Sequence, residues 1–535
     1  MQLVLTKPSF SLFSSSFNLT NRKALLACLS IGFFVRLIPE LLAFPNPIGF
    51  DTIHYAVVMK SGVIWAHWSI FSWLLYSLIV PLYALIPADP FFLLKIVAPL
   101  LYGLNVSGIY WFSRKMLGWN LRMGLLAGIF FAVQLASLRI SWDLLRNILG
   151  LGILLFALPY IKTINTKRGF AFFILLSLLT VFAHAYAAVI LIGVVMGFAL
   201  TAVIKKEICS KVKSLVLAIL PALAVFLFSI FLYTLQVSNI AETNIIETSE
   251  TVAIHPGGLF FLVNYLSINS SVDHYSNYWS LFFSVGTLFV VLYLPYFYFV
   301  VKGFFRNSIM SFWSGLLLIG AFGCLVTPFC ALDYWHRWMF MLVYPLTFYA
   351  VNGFSLLKSK LSSKTSNFSF CFPCKKAAAM ILFTLSIGVA YLATPVWLNH
   401  ANISYSDPSV PLLIDISHYF STSPTVPYED VNSVTEAMSW LDENLNEGSC
   451  VILHHAFVSW GKLYLGEAHS IVRFEVNVPA AIETALNHDF SHVYFVWWNV
   501  PIGWYGVSIP DKFVSMQDFG RISIYLYEGE PITGN

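Results

Sequence analysis

Apolar stretches of about 20 residues recur along roughly the first 400 residues of the chain, and each is long enough to cross about 30 Å of hydrocarbon. Only 10% of the 535 residues are charged, against about 25% in a typical soluble domain. The sequence therefore predicts a polytopic α-helical membrane protein. Eleven spans are expected, at roughly 24–44, 91–113, 121–139, 146–161, 169–184, 185–204, 214–235, 279–301, 308–330, 337–354 and 377–398.

Basic residues predict the orientation of these spans, because Lys and Arg in short loops stay on the cytoplasmic side. With the N-terminus inside, the basic clusters between spans all fall in cytoplasmic loops, and the opposite loop 236–277 contains no Lys or Arg. An odd number of spans then places the C-terminus outside. The basic excess is thus a topology signal rather than a nucleic-acid surface, and we expect an integral protein of the plasma membrane.

Segment 62–87 is apolar enough to span, but counting it as a span would invert every later loop. Its Trp65, Trp68 and Trp73 suit the membrane–water interface, as does His67. We therefore expect interfacial helices in the first outer loop.

Charge divides the chain near residue 399. The first 398 residues carry 26 Lys plus Arg against 10 Asp plus Glu, whereas the remainder carries 4 against 16. The sequence therefore predicts a membrane domain at 1–398, a Pro- and Ser-rich linker at 399–428 and an extracytoplasmic domain at 429–535. Alternating helix and strand patterns in that domain indicate an α/β or α+β fold. Ser433 and Glu436 form a capping-box pattern, which predicts that a helix begins there.

The stretch PIGFDTIHYA follows the first span directly. Ionisable residues near spans are costly in lipid, so they tend to face a cavity or a partner. Asp51, His54 and Tyr55 occur at i, i+3 and i+4, so a helix would bring a carboxylate, an imidazole and a phenol to one face. The alternative is that Asp51 caps a short surface helix.

A second carboxylate occurs in SWDLLRN, in the next outer loop. Asp143 and Arg146 lie three residues apart where the fourth span begins. The functional interpretation places this carboxylate beside that of Asp51. The alternative is a helix cap with a local Asp143–Arg146 ion pair.

Two further groups lie at the outer ends of later spans. In LDYWHRWMF, Arg337 offers a planar fork for a phosphate and His336 a proton donor, the alternative being an aromatic belt with a snorkelling arginine. His184 is more simply explained by a hydrogen bond to a neighbouring backbone group. Arg36 and Glu40, at i and i+4 in the first span, predict a structural ion pair.

This layout resembles the GT-C superfamily of membrane glycosyltransferases, which includes protein O-mannosyltransferases, the lipid A aminoarabinose transferase and the catalytic subunit of oligosaccharyltransferase. The resemblance is carried by GFDTIHYA, SWDLLRN and the arginine of YWHRWMF, with interfacial helices after the first and a C-terminal domain outside. It implies transfer of a sugar from a polyprenyl-phosphate donor in the membrane lipid to a glycan, lipid or protein acceptor.

Carried over by residue, the resemblance makes Asp51 the acid of the first loop, either a general base or a ligand of a divalent cation such as Mg²⁺ or Mn²⁺. It makes Asp143 the second catalytic acid and Arg337 the donor-phosphate ligand. The further candidates for substrate binding are His336, His54, Tyr55, Arg146 and His184. The WWDYG motif of oligosaccharyltransferases is not matched, because WWNVPIGWYG has Asn499 in the acidic position, which argues against sequon-directed peptide glycosylation.

Two other classes of protein remain as alternatives. A secondary transporter of this size usually shows internal repeats and charges at the membrane midplane, and we find no repeat. A noncatalytic membrane scaffold predicts that Asp51 and Asp143 lie far apart in solvent. An enzyme predicts that they share a cavity under the outer domain.

Overall fold

The structure, a computed structural model, describes residues 20–62, 70–86, 88–206, 210–236, 245–248, 278–325, 335–362, 372–394, 420, 422–466, 469–474, 477–488, 490–499 and 509–529. A helical membrane region is followed by a C-terminal domain built on a mixed sheet. The helices of the membrane region are α1 (Asn21–Leu42), α2 (Thr52–Ser61), α3 (Trp73–Leu85), α4 (Pro90–Lys115), α5 (Leu121–Ala132), α6 (Leu135–Asp143), α7 (Leu145–Ala157), α8 (Lys167–Ala183), α9 (Ala185–Ile204), α10 (Ser210–Gln236), α11 (Tyr278–Gly303), α12 (Ser308–Phe322), α13 (Trp335–Met341), α14 (Val343–Ser362) and α15 (Phe372–Leu392).

Within the described residues, eight helical segments are long and apolar enough to cross a membrane, and α5 with α6 forms a ninth that is bent by 62°. The 17-residue α8 and the helix α15 would bring the number to the expected eleven, which stays a prediction. In the segment expected at the interface, residues 63–69 lie outside the described residues. The apolar part Ile70–Leu85 reaches only about 24 Å at 1.5 Å per residue, short of the hydrocarbon core.

Close contact between α1 and α4 depends on one glycine. A Cβ on Gly103 would lie 2.5 Å from the carbonyl oxygen of Leu29, so any larger residue would push the two helices apart. These helices carry the charged residues Arg36, Glu40 and Lys95. Arg36 and Glu40 form the predicted ion pair, with 2.8 Å between Nη1 and Oε1.

The C-terminal domain confirms the expected mixture of helices and strands. Its elements are α16 (Tyr428–Asn444), β2 (Ser449–His454), α17 (His455–Leu465), β3 (Ser470–Phe474), α18 (Val478–Leu486), β4 (His492–Trp498), β5 (Phe513–Asp518) and β6 (Ile522–Tyr527). The predicted capping box is wrong. Helix α16 already begins after Pro427, so Ser433 lies inside it and donates its hydroxyl to the carbonyl of Phe519 at 2.9 Å.

Within the described residues, the sheet contains β1 (Ile245–Glu247) and the five strands above, in the order β1-β3-β2-β4-β6-β5. Strand β1 comes from the loop after α10 and pairs in parallel with β3, with Ile245 opposite Ile471. Strands β2, β3 and β4 are also parallel, whereas β6 runs antiparallel to β4 and β5. A loop of the membrane region therefore completes one edge of the C-terminal sheet.

The C-terminal domain rests on the first loop and on α2. The ammonium group of Lys60 donates to the carbonyl of Leu463 at 2.8 Å. The backbone N–H of Gly49 donates to the carbonyl of Thr422, in the segment before α16, also at 2.8 Å. These contacts join α2 to the C-terminal domain and the first loop to the segment that precedes the domain.

Candidate functional site

The centre of the site is the junction of α6 and α7. Asp143 is the last residue of α6, and α7 begins at Leu145 after a single non-helical residue, Leu144 (φ −83°, ψ 52°). The first loop packs against this break through Gly49, which has φ +88°. A Cβ there would lie 2.6 Å from the Cβ of Asp143, so the loop can approach only with glycine at this position.

Asp51 occupies the position before α2, but its side chain makes no capping hydrogen bond. Burial raises the pKa of its carboxyl group, Arg337 opposes that rise, and the nearby carboxylate of Asp143 adds to it. The alternative that Asp51 caps α2 is therefore not supported, because its carboxylate accepts no backbone N–H of that helix. The two carboxylates that the sequence placed in separate loops lie in one electrostatic cluster, not far apart in solvent.

The partner of Asp143 is Arg139, one turn earlier in α6. The Nη1 atom of Arg139 lies 2.7 Å from Oδ1 of Asp143, and both side chains are buried. The alternative of an Asp143–Arg146 pair is wrong, because the break at Leu144 separates the two residues. Arg146 instead donates from Nη1 to the hydroxyl oxygen of Ser72 at 2.7 Å.

The two other candidates in α2 point to different partners. Tyr55 donates its hydroxyl to the carbonyl oxygen of Asp143 at 3.0 Å, and burial raises its pKa, so the phenol stays protonated. The Nε2 atom of His54 lies 3.2 Å from the hydroxyl of Tyr76 in α3. Tyr55 thus belongs to the wall of the site, whereas His54 ties α2 to α3.

His184 connects α8 to α9. Its Nδ1 accepts the backbone N–H of Tyr186 at 3.1 Å, which confirms the predicted hydrogen bond to a neighbouring backbone group. Arg146 and Arg337 lie within electrostatic range of its imidazole ring, so the ring faces two arginines of the site.

Helix α13 supplies Arg337, whose charge acts on both Asp51 and His184. The next residue, Trp338, packs its ring 5.1 Å from that of Tyr186. The ring of His336 lies 6.2 Å from that of Phe340. Residues 332–334 of the LDYWHRWMF stretch lie outside the described residues.

Cations outnumber carboxylates around the junction. Among the described residues there, Glu40, Asp51 and Asp143 face five cationic side chains, which are Arg36, Lys95, Arg139, Arg146 and Arg337. In the described parts of the chain, no three His, Cys, Asp or Glu side chains converge to hold a metal ion. These residues therefore do not fit a divalent cation, and the surplus of positive charge suits an anion such as a phosphate.

Sequence reasoning missed Arg139 and Lys95 as members of this cluster. Arg139 carried a signal, because its i,i+4 spacing to Asp143 is the same as that of Arg36 to Glu40. Lys95 carried a weaker one, a lone cation in an otherwise apolar span with no carboxylate one turn away.

The chain thus combines a helical membrane region, with a charged cluster at a helix junction, and a C-terminal domain built on a mixed sheet. In the comparison with solved structures, the cryo-EM structure of the arabinofuranosyltransferase AftD from Mycobacteria matches with a TM-score of 0.50 and 11% identity. The match covers 98% of this chain but only 41% of AftD. The fold of this chain is therefore similar to that of AftD, which agrees with the fold expected from the sequence.

A second solved structure, that of ArnT from Cupriavidus metallidurans bound to undecaprenyl phosphate, matches with a TM-score of 0.49 and 10% identity over 94% of this chain and 97% of ArnT. No protein-family model and no curated protein sequence matches the chain.

Proposed function

We propose that the protein is a membrane glycosyltransferase that moves a sugar from a polyprenyl-phosphate donor to an acceptor on the face of the membrane that bears the C-terminal domain. The observation that carries the proposal is the surplus of arginines at one helix junction, within electrostatic range of Asp51 and with Arg139 paired to Asp143. The fold supports the proposal, because AftD, which shares it, is an arabinofuranosyltransferase.

The proposed chemistry uses the two kinds of charge separately. An acceptor hydroxyl attacks the anomeric carbon of the donor sugar, the bond from that carbon to the lipid phosphate breaks, and its electron pair leaves with the phosphate. Asp51 takes the hydroxyl proton, since a raised pKa makes a carboxylate a better base. Arg337 and Arg146 stabilise the negative charge that grows on the departing phosphate. Asp143, held by Arg139, favours the positive charge at the anomeric carbon.

The test is release of labelled sugar from a radiolabelled polyprenyl-phosphate sugar, with and without a divalent cation. Purified Asp51→Asn protein should turn over about 10²–10⁴-fold more slowly than wild type, because it lacks the base. Asp442→Asn, an exposed carboxylate of α16, is the matched control and should keep full turnover. Equal turnover in wild type and Asp51→Asn would remove Asp51 from the reaction.

A secondary transporter is the second candidate, and the 62° bend between α5 and α6 is the observation that favours it. Transporters use broken helices to line substrate sites near the midplane. The charged residues Asp143 and Arg146 lie instead at the ends of their helices. Uptake of a labelled solute into proteoliposomes, with no sugar released from any donor, would support the transporter over the enzyme.

A further inference from the structure

Three charged side chains of the cluster have no part in the proposed chemistry. Arg36 and Glu40 of α1 and Lys95 of α4 are 0%, 4% and 7% exposed. The carboxylate of Glu40 binds both cations, with Oε1 2.8 Å from Arg36 and Oε2 3.2 Å from Lys95. A buried ion pair is often no more stabilising than apolar side chains of similar size, so stability alone does not account for this group.

Arg36 reaches from Glu40 to the end of α6. Its Nε donates to the carbonyl of Ser141 at 3.2 Å and its Nη2 to that of Trp142 at 3.4 Å. The guanidinium also lies 4.6 Å from the ring centre of Trp142. The last carbonyls of a helix have no partner within the helix, so a cation at this end fixes its position. The residue that follows is Asp143.

Lys95 reaches from Glu40 to the first loop. Its ammonium group donates to the carbonyl of Asn46 at 2.6 Å and to that of Glu40 itself at 3.3 Å. Asn46 begins the stretch that runs through Gly49 to Asp51. The loop is therefore held at its start by Lys95 and against the break by Gly49.

We infer that Glu40 is a positioning residue that sets the spacing of Asp51 and Asp143. One carboxylate holds two cations, and each cation holds the main chain that carries one member of the pair. The inference rests on the proposed function, because it assigns the network to the geometry of that reaction. A shift of about 1 Å in such a site lowers turnover by about 100-fold.

The test compares Glu40→Gln with Lys95→Met in the full-length protein. In Glu40→Gln we expect kcat for sugar release to fall by about 10–100-fold, with KM for the donor changed less than about threefold, since Arg337 and Arg146 stay in place. Lys95→Met should lower kcat less, because it releases only the first loop. It also serves as the second variant if Glu40→Gln does not fold.

Hydrogen exchange measures the positioning without any substrate. Amide exchange should become faster in both segments 44–52 and 138–147 in Glu40→Gln, and only in 44–52 in Lys95→Met. Asp430→Asn is the matched control, a fully buried carboxylate bound by Arg521 in the C-terminal domain. Its exchange in these segments and its kcat should match wild type.

The outcomes separate the two proposals. Unchanged exchange in either segment of Glu40→Gln overturns the positioning inference whatever the activity. Faster exchange with unchanged kcat overturns it as well, because the spacing would then not matter to the reaction. Absence of sugar release from wild type, with faster exchange in both segments of Glu40→Gln, counts against the proposed function while the positioning of the two carboxylates is upheld.

Discussion

Within the described residues, each region contains an arginine–carboxylate cluster, and the two clusters differ in what their cations bind. In the C-terminal domain, Asp430 accepts from Nε of Arg521 at 2.5 Å and from Nε1 of Trp498 at 2.8 Å. The same arginine donates from Nη2 to Glu429 at 2.7 Å. One arginine therefore serves two carboxylates, and this cluster has no surplus of positive charge.

At the junction of α6 and α7 the balance is reversed. Cationic side chains outnumber carboxylates there. Arg36 and Lys95 donate hydrogen bonds to main-chain carbonyl oxygens of the site. A balanced cluster joins elements of a fold, whereas surplus cations remain able to bind an anionic ligand.

Removal of one arginine from each cluster should have unequal effects on activity. Arg139→Met leaves Asp143 buried without its ion-pair partner, which should lower the free energy of unfolding by about 3 kcal/mol and reduce turnover by more than about 100-fold. Arg521→Met should keep the turnover per folded molecule. Thermal unfolding and sugar release on the same samples measure both effects. An equal loss of turnover in the two variants would show that the clusters do not differ in their role in the reaction.

The surplus charge should be visible in donor binding. Arg337→Gln removes a cation that the proposed reaction assigns to the phosphate, so the KM for the donor should rise about 10–100-fold. Lys512→Gln, at an exposed position in the C-terminal domain, is the control and should leave KM unchanged. Unchanged KM together with unchanged kcat would instead place Arg337 outside the phosphate site.

The acid limb of the pH profile should report on Asp51. Burial raises its pKa above the usual 3.8, so the base is lost as pH falls through a value higher than that of an ordinary aspartate. Arg337 favours the charged form and lowers this pKa, so in Arg337→Gln the limb of the kcat profile should move to higher pH. Arg337→Lys keeps the charge and should show a smaller movement. A limb that stays in place in Arg337→Gln would mean that another group titrates.

His184 should give the smallest effect. Its ring accepts a backbone N–H at the start of α9, and an asparagine can do the same, so His184→Asn should leave turnover within about threefold and stability nearly unchanged. His184→Ala loses that hydrogen bond and should be less stable by about 1 kcal/mol. A loss of turnover as large as that of Asp51→Asn would show that the imidazole takes part in the reaction.

In the membrane region, the length of the apolar stretches and the spacing of charged residues are the sequence features that predict structure. Apolar stretches predicted the helices because each must satisfy its backbone groups internally in lipid. The i,i+4 spacing predicted the pair of Arg36 and Glu40 because it is a local property of one helix. The break at Leu144 falls in the loop expected between the third and fourth spans. The bend between α5 and α6 lies inside the expected span 121–139 and was missed, because neither Val133 nor Gln134 is a helix-breaking residue.

The errors in the C-terminal domain have a different cause. The capping-box pattern at Ser433 is real, but helix α16 gains an earlier start from Pro427 and from two acidic residues in its first turn. Strand β1 was not predicted at all, because a three-residue strand at a sheet edge depends on its partner and not on its own composition. Local sequence therefore located the candidate residues, and tertiary packing decided which of them pair.

The edge strand β1 also affects how the chain is assembled. Ile245 leaves the ribosome before Ile471, its partner in β3, by about 225 residues, which at 5–20 residues per second is roughly 10–45 seconds. Among the described residues, the helices α11 to α15 must be made and inserted during that interval. The sheet above the site can therefore close only after the membrane region beneath it is complete, so a nascent chain has no finished C-terminal domain until its last strands are synthesised.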